Sequence, residues 1–322
     1  MTSSLVLRAP DAALTAKARR ELGFVPSVLH YLGACPWLAH AEIAFYAARP
    51  IHLSTRVCEL VPYVVALERG SRHVSGALAA FLRLAGYAGA ELSAIERGMP
   101  FAPLAPTEAL ALEHAVAVAR AGGRDTLARL AGAGYGPAAR AELTALAALV
   151  VFGADVASPL AIPPDGIEAF ERGLLAKLLR PLIRRRIAAG RRTASPPSPP
   201  GASHGVLFPR IVAGLAGSPL HAFARDALAA AWRSPVLPVR DKAAIIEAVA
   251  EGLGATSIAD DARVLLEGSA SDREAGLRAY ARTAAISPER LQDAARALPG
   301  SLTEAELVET IGITALASAI AR

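Results

Sequence analysis

A chain of 322 residues with a formal net charge of +5 is long enough to bury two ordinary cores. It is rich in Ala, Leu and Arg and poor in β-branched Thr and Ile, a balance that favours helix over strand, so an all-α fold is expected. Two cysteines cannot staple a chain of this length, which excludes a disulfide-framed fold.

The opening stretch, "MTSSLVLRAPDAAL", has no basic region followed by a continuous apolar segment, so no secretory signal is expected and a cytoplasmic location is the default. Cys35 in "GACPWL" and Cys58 in "RVCELV" lack metal-ligand spacing and are both expected to be reduced and buried. Cys58 falls in an apolar-periodic helix, "RVCELVPYVVALE", which Pro62 should bend because it removes one backbone donor. Gly70 in "ERGSRH" is expected to stop this helix, and a new apolar run starts just beyond. Ser71 is placed to cap that second helix, and Glu68 and Arg72 could pair across four residues if the first helix ran on through Gly70.

Further along, "TEALALEHAVAVARAG" has apolar positions three and four apart, with Thr107 ahead of Glu108 as a cap. A long apolar helix follows in "AELTALAALVVFGADVA", interrupted only by Asp155. The run is too broken for a membrane span. From Glu171 to Thr193 eight Lys or Arg face one acid, giving this segment +7 and leaving −2 for the rest. Without interleaved aromatics it reads as a solvated connector packed through its leucines, and no nucleic acid partner is expected. The adjoining "ASPPSPPGASHG" cannot sustain a helix and marks a boundary, so the expected organisation is a first unit over 1–185, a linker over 186–205 and a second unit over 206–322.

Past the boundary, "RDKAAIIEAVAEGLGATSIADDA" repeats the order of apolar helix, Gly and short polar turn seen around Arg56. "SDREAGLRAYARTAA" parallels the amphipathic segment of the first half, and "AELVETIGITALASAIA" from Ala305 aligns without a gap on the stretch from Ala141. Ser301 or Thr303 can cap this last helix, and Glu306 would complete a capping box with Thr303. An internal repeat of one helical unit follows, with a pseudo-dimer as the expected arrangement.

These blocks together carry a resemblance. "ARRELGFVPSVLHYLGACPWLAHAEI", "ELVPYVVALERGSRHVSGALAAFLRLAGY", "SPVLPVRDKAAIIEAVAEGLGATS" and "LTEAELVETIGITALASAIAR" make the chain resemble a two-domain member of the carboxymuconolactone decarboxylase and alkyl hydroperoxidase D-like superfamily. In the hydroperoxidase branch the reactive pattern is a Glu, eleven residues, Cys-x-x-Cys, three residues and a His. There the helix start favours a thiolate while Glu and His relay protons. By the resemblance these positions fall on Glu59, Ser71, Val74 and Leu78 in the first copy and on Ala243, Ala255, Ile258 and Ala262 in the second. Only Glu59 retains the family's residue.

The resemblance therefore implies a scaffold that has lost thiol peroxidase activity and serves in binding or assembly, as a homo-oligomer or with a related family protein. Two alternatives stand beside it. One is a cysteine-independent acid–base enzyme of decarboxylase or lactone type using Glu59 and His73, which lies between the two lost thiol positions. The other is a structural partner of a thiol-bearing relative in a mixed oligomer. Neither a metal nor a nucleotide cofactor is expected, because His30, His40, His52, His114, His204 and His221 show no ligand spacing and no Gly-rich phosphate loop follows a strand.

Overall fold

Helix boundaries in this chain follow capping chemistry. In the computed structural model, which describes residues 10–47, 50–98, 104–163, 220–266 and 268–322, the first helix α1 (Ala12–Leu22) starts where Asp11 Oδ1 accepts the Leu14 N–H at 2.6 Å and stops at left-handed Gly23. A short 3₁₀ turn, Ser27–His30, leads to α2 (Pro36–Ala47). Ser54 caps α3 (Thr55–Glu68) by accepting from Val57 N at 3.3 Å, and the helix continues through Pro62.

A tight turn separates α3 from α4 (Arg72–Ala85). Gly70 adopts φ +64°, a conformation L side chains rarely take, and Ser71 N donates back to Ala66 O at 3.0 Å to close the end of α3. Because α3 stops at Glu68, the pairing of Glu68 with Arg72 does not form; Glu68 instead holds Arg120 at 2.6 and 2.9 Å. After α4 come α5 (Gly89–Glu96), α6 (Pro106–Ala119), α7 (Arg124–Gly132) and α8 (Pro137–Ala157). Helix α6 begins one residue before Thr107. Pro106 supplies the pre-set first position, and Glu108 rather than Thr107 reaches back to the Ala105 N–H at 3.4 Å.

From residue 220 onward lie α9 (Leu220–Arg233), α10 (Val239–Gly252), α11 (Thr256–Arg263) and α12 (Asp272–Ile286). The 3₁₀ turn Pro288–Arg290, α13 (Leu291–Arg296) and α14 (Glu304–Ala321) complete the order, with no strand among the described residues. The turn from α10 to α11 reuses the earlier geometry: Gly254 has φ +70° and Ala255 N donates to Ala250 O at 2.8 Å. At the start of α14 the capping box forms as the sequence predicts, with Glu306 N donating to Thr303 Oγ1 at 3.3 Å and Thr303 N to Glu306 Oε2 at 2.7 Å. The basic segment 171–193, the 186–205 linker and His204 lie outside the described residues.

The core is built around the two long apolar helices. Nearly every residue of α8 from Leu143 to Ala157 is buried, as is all of α14 from Val308 to Ile320, and the two pack against each other. Burying a Val, Leu or Ile side chain contributes about 1.5–3 kcal/mol, so this pair contributes substantially to the apolar gain. Helix α3 lies against α4, α6 and α8; α10 lies against α11, α12 and α14; and α2 packs on α9. Close approach to α2 requires glycine on both long helices. A Cβ at Gly153 would fall 2.5 Å from the Phe45 ring, and one at Gly312 would fall 2.8 Å from Leu38. No helix of the described residues is long and apolar enough to cross a membrane.

Candidate functional site

Helix α3 presents Arg56, Glu59 and Tyr63 at spacings of three and four, which places them along one face. That face is met by the end of α4 and by α5. Tyr87, just past α4, donates from its hydroxyl to Glu59 Oε2 at 2.7 Å, and Tyr63 does the same to Glu96 Oε1 at 2.5 Å. Burial and then the carboxylate acceptor push both phenols above their ordinary range. The Arg56 guanidinium stands 5.7 Å over the Tyr87 ring, pairs with Glu91 and lies 3.6 Å from Glu108. From the sequence Glu59 is expected to be partly buried and held by a polar or cationic neighbour such as Arg56 or Arg72; it is half-buried, and the Tyr87 hydroxyl is one group that holds it.

From the sequence, with Val74 taken as the inward residue, His73 is expected to face solvent; in the structure both are buried, His73 at 3% and Val74 at 5% exposure. The reason lies on α8's far end: His73 Nδ1 sits 2.8 Å from Pro163 O. A carbonyl only accepts, so Nδ1 donates to it. Nε2 meets no partner among the described residues. Glu59 and His73 therefore engage different groups, Tyr87 and Pro163, and the imidazole makes no hydrogen bond to the carboxylate among them.

Ser71 occupies the N-cap of α4, but its side chain caps nothing. The hydroxyl is 1% exposed as a residue and meets no partner. Leu78 packs half-buried against the core. In the second half Ala243 and Ala262 are fully enclosed, Ile258 is buried, and Ala255 packs half-buried at the start of α11. Charge there is arranged differently. Glu247 accepts from Arg263 at 2.9 Å and from Arg278; Glu251 from Arg263 at 2.6 Å and Arg282 at 2.9 Å; Glu274 from Arg240 at 2.9 Å. These pairs tie α10, α11 and α12 together with mutually compensated charges.

Neither thiol lies among these groups. Cys35 is buried, and burial followed by the nearby Glu309 carboxylate pushes its thiol up to about 12. Cys58 is half-buried rather than fully enclosed, because its sulfur turns back 3.8 Å from Leu53 O at the helix start. Among the described residues the most enclosed histidine, His114, bridges Thr126 at 2.8 Å and Thr144 at 2.9 Å, and burial lowers its pKa to about 4. It stays neutral near pH 7 and links α6, α7 and α8. No cluster of three or more His, Cys, Asp or Glu able to hold a metal occurs among the described residues.

The polar centre missed by sequence reasoning adjoins the α3–α4 turn. Arg69, 2% exposed, forms a two-pronged pair with Asp155 at 2.9 and 2.8 Å and donates to Ala284 O at 3.1 Å. Arg322 donates to Ala285 O at 2.9 Å and Ser318 O at 2.8 Å, and both guanidiniums approach Ala119 O at 3.4 Å. The signal was present: one Asp inside an unbroken apolar helix demands a buried counter-charge. Comparison with known proteins finds no matching family model, no matching curated protein and no matching solved structure.

Proposed function

We propose that the chain is a two-copy scaffold of the alkyl hydroperoxidase D-like type that carries out no thiol chemistry and serves in binding or assembly. The repeat reading is supported by paired features. Arg56 and Arg240 occupy the same place at the start of α3 and α10, and each faces a carboxylate in the first turn of a later helix, Glu108 on α6 and Glu274 on α12. The Gly70 and Gly254 turns close alike, and α3 with its neighbours α4, α6 and α8 finds its counterpart in α10 with α11, α12 and α14. The packing of α8 on α14 and of α2 on α9 is what a pseudo-dimer of such units needs.

The observation that carries the functional reading is the content of the turn between α3 and α4. Ser71 and Val74 stand where the family has sulfur, and the two thiols of the chain lie on other segments, one of them raised to about 12. Disulfide turnover needs two sulfurs in reach of each other. Acid–base chemistry by Glu59 and His73 needs both on one substrate, whereas Tyr87 and Pro163 hold them separately. Peroxide consumption by the purified chain with a dithiol donor tests this reading. A rate at background is expected, and turnover lost on Cys58→Ser would overturn it.

A further inference from the structure

Helix α2 turns the stripe Pro36, His40 and Ala44 to solvent. Glu42 lies two residues from His40, about 200° round the helix, and so sits on the opposite side. It shares that side with Leu38 and Phe45, which meet Gly312 of α14 and Gly153 of α8. Glu42 is 1% exposed, and its Oε1 meets no partner among the described residues. The charges on the elements packed around α2 are engaged elsewhere. Lys17 of α1 reaches His40, Glu142 and Asp155 of α8 hold His52 and Arg69, and Arg225 pairs with Asp226 on α9. Glu309 of α14 accepts from Trp37 and the Leu237 N–H and stands 3.7 Å from Lys242. None of them acts on Glu42, whose carboxyl is pushed up by burial alone.

We infer that α2 is a proton-gated latch: with Glu42 protonated it seats on α8, α9 and α14, and loss of that proton releases it while the α8–α14 pair stays folded. An unpaired carboxylate is costly to keep in such a seat, so ionisation is coupled to moving the helix. The release is local because α2 has one side in water, whereas α8 and α14 hold each other and are held in turn by α3, α6, α10 and α12. What it loosens is a junction between the two stretches of the chain, since α2 belongs to the first and packs on α9 and α14 of the second. An acid whose proton is retained in the fold stabilises the seat fully below about pH 4.5, and that contribution is lost as pH rises through about 8.

The latch stands independently of the scaffold reading, because thiol chemistry plays no part in it. Amide hydrogen exchange of the full chain at pH 6, 7 and 8 tests it, expressed as protection factors so that the base-catalysed intrinsic rate cancels. Protection of the α2 amides should fall about 50-fold from pH 6 to pH 8, while α8 and α14 keep theirs. The neighbouring titratable groups do not produce that fall. Burial and Lys17 push His40 below its ordinary 6.5, so it is neutral over most of the range, and burial raises the Cys35 thiol to about 12. Glu42→Gln, or Glu42→Met where the amide is not tolerated, should hold α2 protection level across the series. Wild-type α2 protection that ignores pH, or that falls in step with α8 and α14, means that no local release occurs and overturns the inference. An equal fall in either variant overturns it too.

Discussion

At the scale of single residues, Glu42 on α2 carries a strong pH response. It is 1% exposed, its Oε1 meets no partner among the described residues, and burial alone raises its pKa from 4.5 to about 8. A raised carboxyl pKa means the folded chain keeps a proton that the unfolded chain releases. The contribution is fully present below about pH 4.5 and is lost as pH rises through about 8. Glu42→Gln should therefore remove a decline in unfolding free energy of up to roughly 4 kcal/mol between pH 5 and 9. Urea denaturation at pH 5, 7 and 9 checks this: wild type should lose stability across the series relative to the variant, and parallel curves would contradict the assignment. Glu42 also shows a limit of sequence reading. Nothing in "CPWLAHAEIAFY" distinguishes a carboxyl turned inward from one turned to water, because α2 is apolar on most of its circumference. Tyr87 escaped notice for a related reason: it meets Glu59 across a loop, where no periodic spacing applies.

At the scale of elements, the helices themselves were legible because caps and periodicity agreed. The Thr303–Glu306 box, the stop at Gly70 and the two long buried helices all follow from local chemistry. Local rules failed where an element's end is governed by tertiary contact. Ser71 has the sequence of a cap, yet its hydroxyl is turned away from the helix N–H groups. His73 is drawn inward by a carbonyl ninety residues away. The close packing of α2 on the long helices makes a graded prediction. Gly153→Ala sets a methyl against the flat Phe45 ring at 2.5 Å, whereas Gly312→Ala meets the ends of the Leu38 side chain at 2.8 Å and the Trp37 ring only at 3.1 Å. Both should destabilise, Gly153→Ala by about 1–3 kcal/mol and more than Gly312→Ala, since an aliphatic tip shifts more readily than a ring. Chemical denaturation of the two variants orders them, and a reversed order would mean that α2 moves aside more easily than its packing implies.

At the scale of the whole molecule, the cluster of Arg69, Asp155 and Arg322 fastens together α6, α8, α12 and α14, elements from both stretches of the chain. Burial pushes the Asp155 carboxyl upward while the two guanidiniums pull it down, so the pair persists only because each charge has its counterpart. Removing one partner with Asp155→Ala should cost about 3–5 kcal/mol, and the double change Arg69→Met with Asp155→Leu should recover much of that loss. A single variant no weaker than the double would show that the cluster carries no net role in stability.

On the proposed reading, the α3–α4 turn has the backbone of a thiol site with other side chains in it. Ser71 at the N-cap and Val74 three residues on occupy positions from which two sulfurs would face each other at a helix start. The most direct measurement introduces Ser71→Cys, Val74→Cys and Leu78→His into a Cys35→Ala, Cys58→Ser background and counts free thiols before and after mild oxidation. The account predicts loss of both thiols in a reducible disulfide within the monomer, and peroxide consumption with a dithiol donor that the parent lacks. Two thiols that stay reduced in a folded variant, as judged by an unchanged circular dichroism spectrum, would contradict it.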